Sequence, residues 1–471
     1  MVRVLNVLTN QISRFVAQVT TAVTAVLVLA AILPAQQTSA HLQWIQSPVN
    51  NHWYAYARPH LKWHDARRVA QALGADLAVV RNSQESAWIA SAFAGQLAPS
   101  GWAWIGLSDE QSEGLYQWVD GGSYPIAWSA SQPDNIFSCG TDEDYCEIGL
   151  TGLINDQHVT GACPGNGTGR PSIFESKVFP GGTVLLEDDF EAPALNPAKW
   201  TVQLNYGNSS VTQAGGVVRL QNRPSLISNT GFRPETHRRL VLETRVSSIP
   251  FECMSSGPYG QNMQFLLRTD SAVSGQYQQH NSGIGLWFWP DYPGGGDGGI
   301  SWAANITVGP AAQEINLDGC IGVFDCMIID TGVSVLAWMW LVSDPTQSSL
   351  AWRDGILSET NPKDRLAFQC RESIFGDHEI SLHHVRVTGA DCNGNAIADH
   401  LDIASGVEAD CNSNLIPDSC DIATGVPTCS NQALQLNGSS YIRVPDNASL
   451  DLTGPFTIEC WVKSDNPTSR S

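Results

Sequence analysis

The chain has 471 residues, a length that corresponds to roughly three domains. Acidic residues outnumber basic ones 46 to 25, which gives a formal net charge of −21. Such a surface repels nucleic acid and anionic lipid and attracts divalent cations, so nucleic acid is excluded as a partner. Acidity that merely keeps an exported protein soluble is the alternative explanation, and the positions of the acids must decide between the two.

Residues 1–40 have the pattern of a targeting segment. Arg3 and Arg14 supply positive charge, the stretch 15–33 is apolar or small, and residues 38–40 offer a cleavage site. The pattern predicts a cleaved signal peptide, with a retained membrane anchor as the alternative because the apolar length just permits one. No later stretch of the sequence is both long and apolar enough to span a bilayer. We therefore expect a secreted or cell-surface chain without membrane insertion after signal removal.

The region 41–177 begins with two predicted helices and continues as short strands. Apolar residues at helical spacing predict the first helix, which Gly74 ends. Asn82 and Glu85 form a capping-box pattern that begins the second helix, and Gly95 ends it. Aromatic-rich segments then predict two strands, which run over 102–107 and 115–119.

Carboxylates and side-chain amides are concentrated between Gln132 and Asp156, at a density that a folded core does not tolerate. Asp, Glu, Asn and Gln side chains supply the hard oxygen ligands that Ca²⁺ takes in sets of about six to eight. The cluster predicts a calcium site. It also predicts a protein that binds its target through the metal and does not transform it.

Several motifs of this region occur in the order of one known family. The motifs follow the two predicted helices along the chain. They are Trp104-Ile105-Gly106-Leu107, Glu113-Gly114, Trp118, Gln132-Pro133-Asp134, Glu143-Asp144 and Asn155-Asp156. In this order they resemble the C-type lectin domain. The resemblance implies an α+β C-type lectin fold and Ca²⁺-dependent carbohydrate binding, without enzymatic activity.

The resemblance also implies a specific site. Pro133 would be a cis-proline between two ligand-bearing side chains, and two sugar hydroxyls would bind the ion and hydrogen-bond to its ligands. The implied carbohydrate-binding and metal residues are Gln132, Asp134, Glu143, Asn155 and Asp156. A second, structural ion is implied at Asp109, Glu113, Asn135, Glu143 and Asp144. The alternative for the second site is that its first two acids are ordinary loop residues.

The resemblance to the lectin family also bears on the class of sugar. The Gln-Pro-Asp order resembles the galactose-type arrangement of the family, whereas Glu-Pro-Asn marks the mannose type. Galactose-type members usually place a tryptophan after the motif, but this chain has Ile136 and Phe137 there. Glycans are therefore the expected partners, with a weak indication of galactose.

Twelve cysteines in an exported chain indicate disulfides rather than free thiols. The long disulfide of the lectin family is absent, since Ala70 and Phe174 occupy its places. The resemblance favours Cys146–Cys163, with Cys139–Cys163 as the alternative. Elsewhere Cys320 and Cys326 lie close enough in sequence to staple a loop, and Cys253–Cys370 is a further candidate pair. The repeat region suggests Cys392–Cys411 and Cys420–Cys429.

The region 181–389 is predicted to be all-β, because short strand-like runs are broken by Gly, Pro, Ser and Asn. Its two ends resemble concanavalin-A-like jelly rolls, some of which are glycoside hydrolases that need paired carboxylates. The nearest candidate strand, 314–318, has the wrong acid spacing. We therefore expect a non-catalytic sandwich, with Trp338 and Trp340 buried in a core.

An internal repeat occupies 390–428, with copies that begin 19 residues apart, at 391 and 410. Each copy has the oxygen spacing of an EF-hand-type calcium loop and also resembles dockerin and thrombospondin type 3 repeats. Ala396 and Leu415 stand where such a loop normally needs Gly, and a polar linker is the alternative. The predicted ligands are Asp391, Asn393, Asn395, Asp399 and Asp402, then Asp410, Asn412, Asn414, Asp418 and Asp421.

The last segment, 429–471, resembles the first strands of a laminin-G-like sandwich. About 40 residues cannot close a domain of roughly 100 residues, so we expect a truncated, poorly ordered or loosely docked partial second β-sandwich. The whole chain is thus predicted to be a multidomain, exported, Ca²⁺-dependent adhesion lectin. The alternatives are a non-sugar interaction protein with structural Ca²⁺ and, less favoured, a secreted glycoside hydrolase.

Overall fold

The computed structural model describes residues 42–135, 142–161, 169–205, 207–222, 224–232, 238–248, 263–269, 284–289, 299–302, 315–316, 323–354, 364–370, 379–412 and 416–424. The predicted signal peptide and the laminin-G-like tail fall outside these residues. Among the described helices, none is long and apolar enough to cross a membrane.

The N-terminal domain combines helices with one mixed sheet. Its helices are α1 (Trp63–Ala72), α2 (Ser83–Ala92) and α3 (Ala94–Ser100). Its strands are β1 (Ile45–Gln46), β2 (Trp53–Leu61), β3 (Asp76–Leu77), β4 (Trp102–Ser108), β5 (Gln117–Trp118), β6 (Tyr145–Gly149), β7 (Ile154–Gln157) and β8 (Arg170–Ser176). The sheet order is β1-β2-β8-β4-β6-β7, with β3 on β8 and β5 on β4. Among the named strands of the described residues, β4 and β8 run parallel and the other pairs run antiparallel. This order makes β7 an edge strand.

Local sequence explains how the first two helices begin and end. Gly74 follows the end of α1 with φ 77°, the left-handed conformation that commonly terminates a helix. Asn82 caps α2, because its side-chain oxygen accepts the backbone N–H of Glu85 at 2.9 Å. The prediction that Gly95 ends this helix is wrong, since α2 stops at Ala92 and Gly95 lies within α3.

A two-sheet sandwich follows. One sheet has the order β10-β13-β22-β15-β16-β17-β18, and the other has β11-β12-β23-β14-β19-β20-β21 with β9 paired to β23. The strands are β9 (Thr183–Asp188), β10 (Trp200–Gln203), β11 (Ser210–Ala214), β12 (Val217–Gln221), β13 (Ser225–Ser228), β14 (Leu240–Ser248), β15 (Met263–Thr269), β16 (Ile284–Trp289), β17 (Gly299–Trp302), β18 (Ile315–Asn316), β19 (Val323–Asp330), β20 (Ser334–Leu341), β21 (Asp344–Asp354), β22 (Arg365–Cys370) and β23 (Glu379–Gly389). Phe265 and Phe368 from the first sheet join Leu242 and Val387 from the second in one buried core.

The second sheet of the sandwich is apolar on both faces. Along β20, Ala337 and Met339 belong to the sandwich core, while Trp338 and Trp340 belong to a separate cluster that includes Val69 of α1. Successive side chains of a strand point to opposite faces, so alternation explains the division. The two tryptophans are buried as predicted, but they lie on the face that the N-terminal domain covers.

The repeat region carries two short helices, α4 (Asp399–Ser405) and α5 (Asp418–Thr424). A disulfide joins Cys392, at the start of the first loop, to Cys420 in α5. Cys146 and Cys326 are buried free thiols, because their strands turn them into the hydrophobic cores. These findings correct the predicted pairs Cys392–Cys411, Cys420–Cys429, Cys146–Cys163 and Cys320–Cys326. The alternative pair Cys139–Cys163 lies outside the described residues.

Candidate calcium and carbohydrate site

Three carboxylates from separate segments meet at one surface point. Asp134 follows the Gln132–Pro133 peptide, which is cis as expected, Glu143 precedes β6, and Asp156 lies on the edge strand β7. A carboxylate oxygen from each acid lies within 4.8 Å of the other two. Glu143 and Asp156 are buried, whereas Asp134 is exposed, so the cluster has one side open to solvent.

Hydrogen bonds hold the proline turn against the edge strand. The backbone N–H of Asn135 donates to Oδ2 of Asp156 at 3.0 Å, and Oδ1 of Asn135 accepts the N–H of Glu143 at 2.9 Å. Oε1 of Gln132 accepts the N–H of Asp134 at 3.1 Å. Asn135 therefore connects all three acid-bearing segments and fixes their relative positions.

The electrostatics of the cluster suit a cation. Burial, and then the nearby charges of Asp156 and Asp134, together raise the pKa of Glu143 to about 7. Oδ1 of Asp156 is buried and has no hydrogen-bond partner among the described residues. Buried polar atoms normally have a partner, and hard carboxylate oxygens are the ligands that Ca²⁺ prefers. The residues present therefore fit a divalent cation such as Ca²⁺.

The two predicted amide ligands have protein partners. Gln132 contacts its own turn, as described above. Asn155 lies on the face of β7 opposite to Asp156, and its Nδ2 donates to Oε1 of Glu147 at 3.1 Å and to the backbone oxygen of Asp156 at 2.6 Å. The geometry thus brings the three predicted acids together and places the amides beside them.

A second acidic cluster lies next to the first. Glu113, Asp142 and Asp144 each place a carboxylate oxygen within 4.8 Å of the other two. Nδ2 of Asn135 donates to Glu113 at 2.8 Å and to Asp142 at 3.2 Å. Burial, and then the charge of Asp142, raises the pKa of Asp144. This point is therefore a second position where negative charge accumulates.

The second cluster differs from the predicted set in its members. Asp142 was missed, although the run 142–144 of three consecutive acids is a visible signal in the sequence. Glu143 lies in the first cluster instead. Oδ2 of Asp109 accepts the N–H of Gly114 at 2.8 Å, and its Oδ1 is buried without a hydrogen-bond partner in the described part of the chain.

The first repeat loop closes on its last acid. Oδ2 of Asp402 accepts from Nδ2 of Asn393 at 3.0 Å and from Nδ2 of Asn395 at 2.8 Å. Asp391 accepts the backbone N–H of Ala396 at 2.9 Å, and Ala396 has φ 66°. The sharp left-handed turn that normally requires Gly is therefore made with Ala.

The second copy repeats part of this geometry. Oδ2 of Asp421 accepts from Nδ2 of Asn412 at 2.8 Å, which matches the contact between Asp402 and Asn393. Oδ1 of Asp418 accepts the N–H of Cys411 at 3.1 Å, as Asp399 accepts that of Cys392 at 2.8 Å. Asp410 lies in the same loop, and Asn414 falls outside the described residues.

Comparisons with known proteins relate part of the N-terminal domain to one family. Residues 60–141 match the family described as Lectin C-type domain. The chain is 35% identical over 91 residues to mouse C-type lectin domain family 4 member F, a match covering 18% of this chain and 16% of that protein. It is 33% identical over 102 residues to the CD209 antigen of Nomascus concolor, covering 20% of this chain and 23% of that protein. This chain therefore matches less than a quarter of each relative's length.

Solved structures give matches over a similar region. The mouse scavenger receptor C-type lectin carbohydrate-recognition domain is 24% identical, with a TM-score of 0.24, over 28% of this chain and 94% of that one. The lectin CEL-I from Cucumaria echinata is 25% identical, with a TM-score of 0.24, over 28% of this chain and 93% of that one. C-type lectin domains bind Ca²⁺ for sugar recognition, which agrees with the calcium predicted from the sequence. The part of the chain that matches the C-type lectin domain family is thus residues 60–141.

Proposed function

We propose that the N-terminal domain binds glycans through a Ca²⁺ ion held by Asp134, Glu143 and Asp156, with Gln132 and Asn155 as further ligands. The observation that carries this proposal is the convergence of the three acids at an open surface point. The unpartnered buried Oδ1 of Asp156 supports it independently. A protein of this kind binds its target and is not an enzyme.

Each side chain has a separate task in this proposal. The bound ion would supply coordination positions for two neighbouring sugar hydroxyls. Asp134 is exposed, so its carboxylate accepts a hydrogen bond from one of those hydroxyls while it faces the ion. Glu143 and Asp156 are buried, and they mainly neutralise the charge of the ion from the side of the site that faces the protein interior. Asn135 holds the turn closed through its contacts with both of them.

The sugar class and the setting belong to the same proposal. The Gln132-Pro133-Asp134 order favours galactose-type ligands over mannose-type ligands. The targeting pattern at 1–40 and the string of modules behind it favour an exported or cell-surface adhesion protein. A jelly-roll sandwich then serves as a rigid support for the lectin domain, because apolar side chains of its second sheet share a cluster with α1.

Further calcium positions are proposed outside the sugar site. A second ion in the lectin domain is assigned to Glu113, Asp142 and Asp144, with Asp109 and Asn135 nearby. The repeat loops are assigned one ion each. Their ligands are Asp391, Asn393, Asn395, Asp399 and Asp402 in the first, and Asp410, Asn412, Asn414, Asp418 and Asp421 in the second.

A glycan array with the full chain tests the sugar-binding function. Binding to particular glycans that a chelator abolishes, and that Asp134→Asn also abolishes, is the expected result. Asp189→Asn is the matched control, since Asp189 is an exposed acid of the sandwich and the change removes the same charge. Ca²⁺ uptake without any glycan signal would instead support the non-sugar interaction protein.

A further inference from the structure

Glu147 is a buried acid next to the candidate calcium site. It lies on β6, directly opposite Asn155 of β7, and is 1% exposed. Its Oε2 accepts from Nε of Arg170 at 2.8 Å, and its Oε1 accepts from Nδ2 of Asn155 at 3.1 Å. Burial raises the pKa of Glu147, while Arg170 and Asn155 oppose that effect by stabilising the charged form. The carboxylate therefore links a half-buried cation to a predicted calcium ligand.

The chemistry of the neighbours fixes the orientation of the Asn155 amide. Nδ2 contacts a carboxylate oxygen of Glu147 and the backbone oxygen of Asp156, at 3.1 Å and 2.6 Å. Both groups are hydrogen-bond acceptors, so the opposite orientation would set oxygen against oxygen. An amide nitrogen has two hydrogens, and these two contacts use both of them. Oδ1 is the atom of the amide that is left for an ion.

We propose that Glu147, held by Arg170, is the positioning residue that turns the side-chain oxygen of Asn155 toward a bound calcium ion. The inference rests on the proposed function of the site. It adds a residue outside the ligand set, because the carboxylate of Glu147 holds the amide nitrogen of Asn155 and leaves the amide oxygen for the ion.

The substitution Glu147→Gln tests this inference. The glutamine amide has one acceptor oxygen, which can face either Arg170 or Asn155 but not both. We expect the charged Arg170 to bind this oxygen, which leaves the Asn155 amide without its acceptor on β6. Loss of an outer-shell partner typically weakens metal binding about 10–100-fold, and we expect a change of that size in the calorimetric Ca²⁺ affinity of the full chain.

A second readout needs no metal. In chelator-treated full chain labelled with ¹⁵N-asparagine, the Asn155 side-chain amide is identified by its loss in Asn155→Ala. Its hydrogens should exchange slowly with water in the unaltered protein and much faster in Glu147→Gln. This readout reports the hydrogen bond itself, which a general loss of stability does not explain when the other asparagine signals keep their exchange rates.

Glu175→Gln is the matched control. Glu175 is also buried and is held by Arg81 at 2.7 Å and by the N–H of Val79 at 2.7 Å, so the change should lower stability without altering Ca²⁺ affinity. Unchanged Ca²⁺ affinity and unchanged Asn155 exchange in Glu147→Gln would overturn the inference alone. Absence of Ca²⁺ binding in the unaltered protein would overturn the proposed function, and this inference with it.

Discussion

The guanidinium of Arg239 donates a hydrogen bond to the backbone oxygen of Leu73, the residue that caps the C-terminus of α1. Its other terminal nitrogen donates to the backbone oxygen of Pro180 at 2.7 Å. A cation at a helix C-terminus satisfies carbonyl groups that have no partner within the helix and interacts favourably with the helix dipole. Because Arg239 immediately precedes β14, this contact joins the sandwich to the lectin domain.

Replacing Arg239 by Met should destabilise the chain. The substitution keeps an extended side chain but leaves the two carbonyl oxygens without their donor, at a cost of about 1–3 kcal/mol. Urea unfolding of the full chain measures the change, and Arg58→Met at an exposed position is the control. Equal free energies of unfolding for the two variants would show that the contact adds nothing to stability.

Removing the lectin domain should expose the apolar face of the sandwich. Trp338, Trp340, Met327 and Ile329 are buried in the cluster shared with α1 and would face solvent in a fragment that starts at residue 181. Large exposed apolar patches promote association. Light scattering should therefore find the fragment self-associated while the full chain is not. A monomeric fragment would contradict the assignment of this face to the domain interface.

The Ca²⁺-free protein should lose stability as pH rises through the range in which Glu143 ionises. The folded-state pKa of Glu143, about 7, lies above its ordinary value of 4.5, so the folded state holds a proton that the unfolded state has released. Stability then falls between these two values and levels off above them. Urea midpoints measured with chelator at about pH 5 and pH 8 give the difference.

Two comparisons complete this experiment. Glu143→Gln cannot ionise, so the part of the pH dependence that Glu143 contributes should disappear in this variant. Ca²⁺ binding has to displace the same proton, so the apparent Ca²⁺ affinity of the unaltered chain should rise toward pH 7. An identical pH slope in the variant and the unaltered chain would exclude Glu143 as the group responsible.

Replacing Ala396 by Gly should strengthen the first repeat loop. The left-handed conformation at φ 66° costs a residue with a Cβ atom about 1–2 kcal/mol, a cost that Gly avoids. Greater freedom of Gly in the unfolded chain offsets part of this gain, so we expect a net stabilisation of up to about 1 kcal/mol. Thermal unfolding with and without Ca²⁺ measures it. A lower unfolding temperature of Ala396→Gly, both with and without Ca²⁺, would contradict the claim that Ala396 is strained.

Short-range features of the chain could be predicted from sequence. The cap of Asn82 on α2 could be predicted because a cap depends on a few neighbouring residues, whereas the cis bond before Pro133 was implied by the family resemblance. Trp338 could be predicted as buried, but not as part of the interface, because alternation along a strand does not say what covers each face. Asp142 was missed because a run of acids does not reveal which side chains converge.

Long-range pairing was the least predictable property. Cys392 bonds to Cys420, whereas the repeat pattern had favoured equivalent positions of the two loops. Which cysteines meet depends on how α5 packs against the first loop, and spacing along the chain does not encode that. The role proposed for Glu147 could not be predicted for the same reason, since the register between β6 and β7 is what places Glu147 opposite Asn155.

The most direct test of the lectin assignment is a calorimetric titration of Ca²⁺ into the chelator-treated full chain and into Asp156→Asn, each followed by galactose and mannose. Asp156 offers the buried oxygen without a partner, so its substitution should abolish one Ca²⁺ binding event and all sugar heat, leaving the other events unchanged. Ca²⁺ and sugar binding that persist in Asp156→Asn, or a complete absence of Ca²⁺ binding in the unaltered chain, would contradict the site.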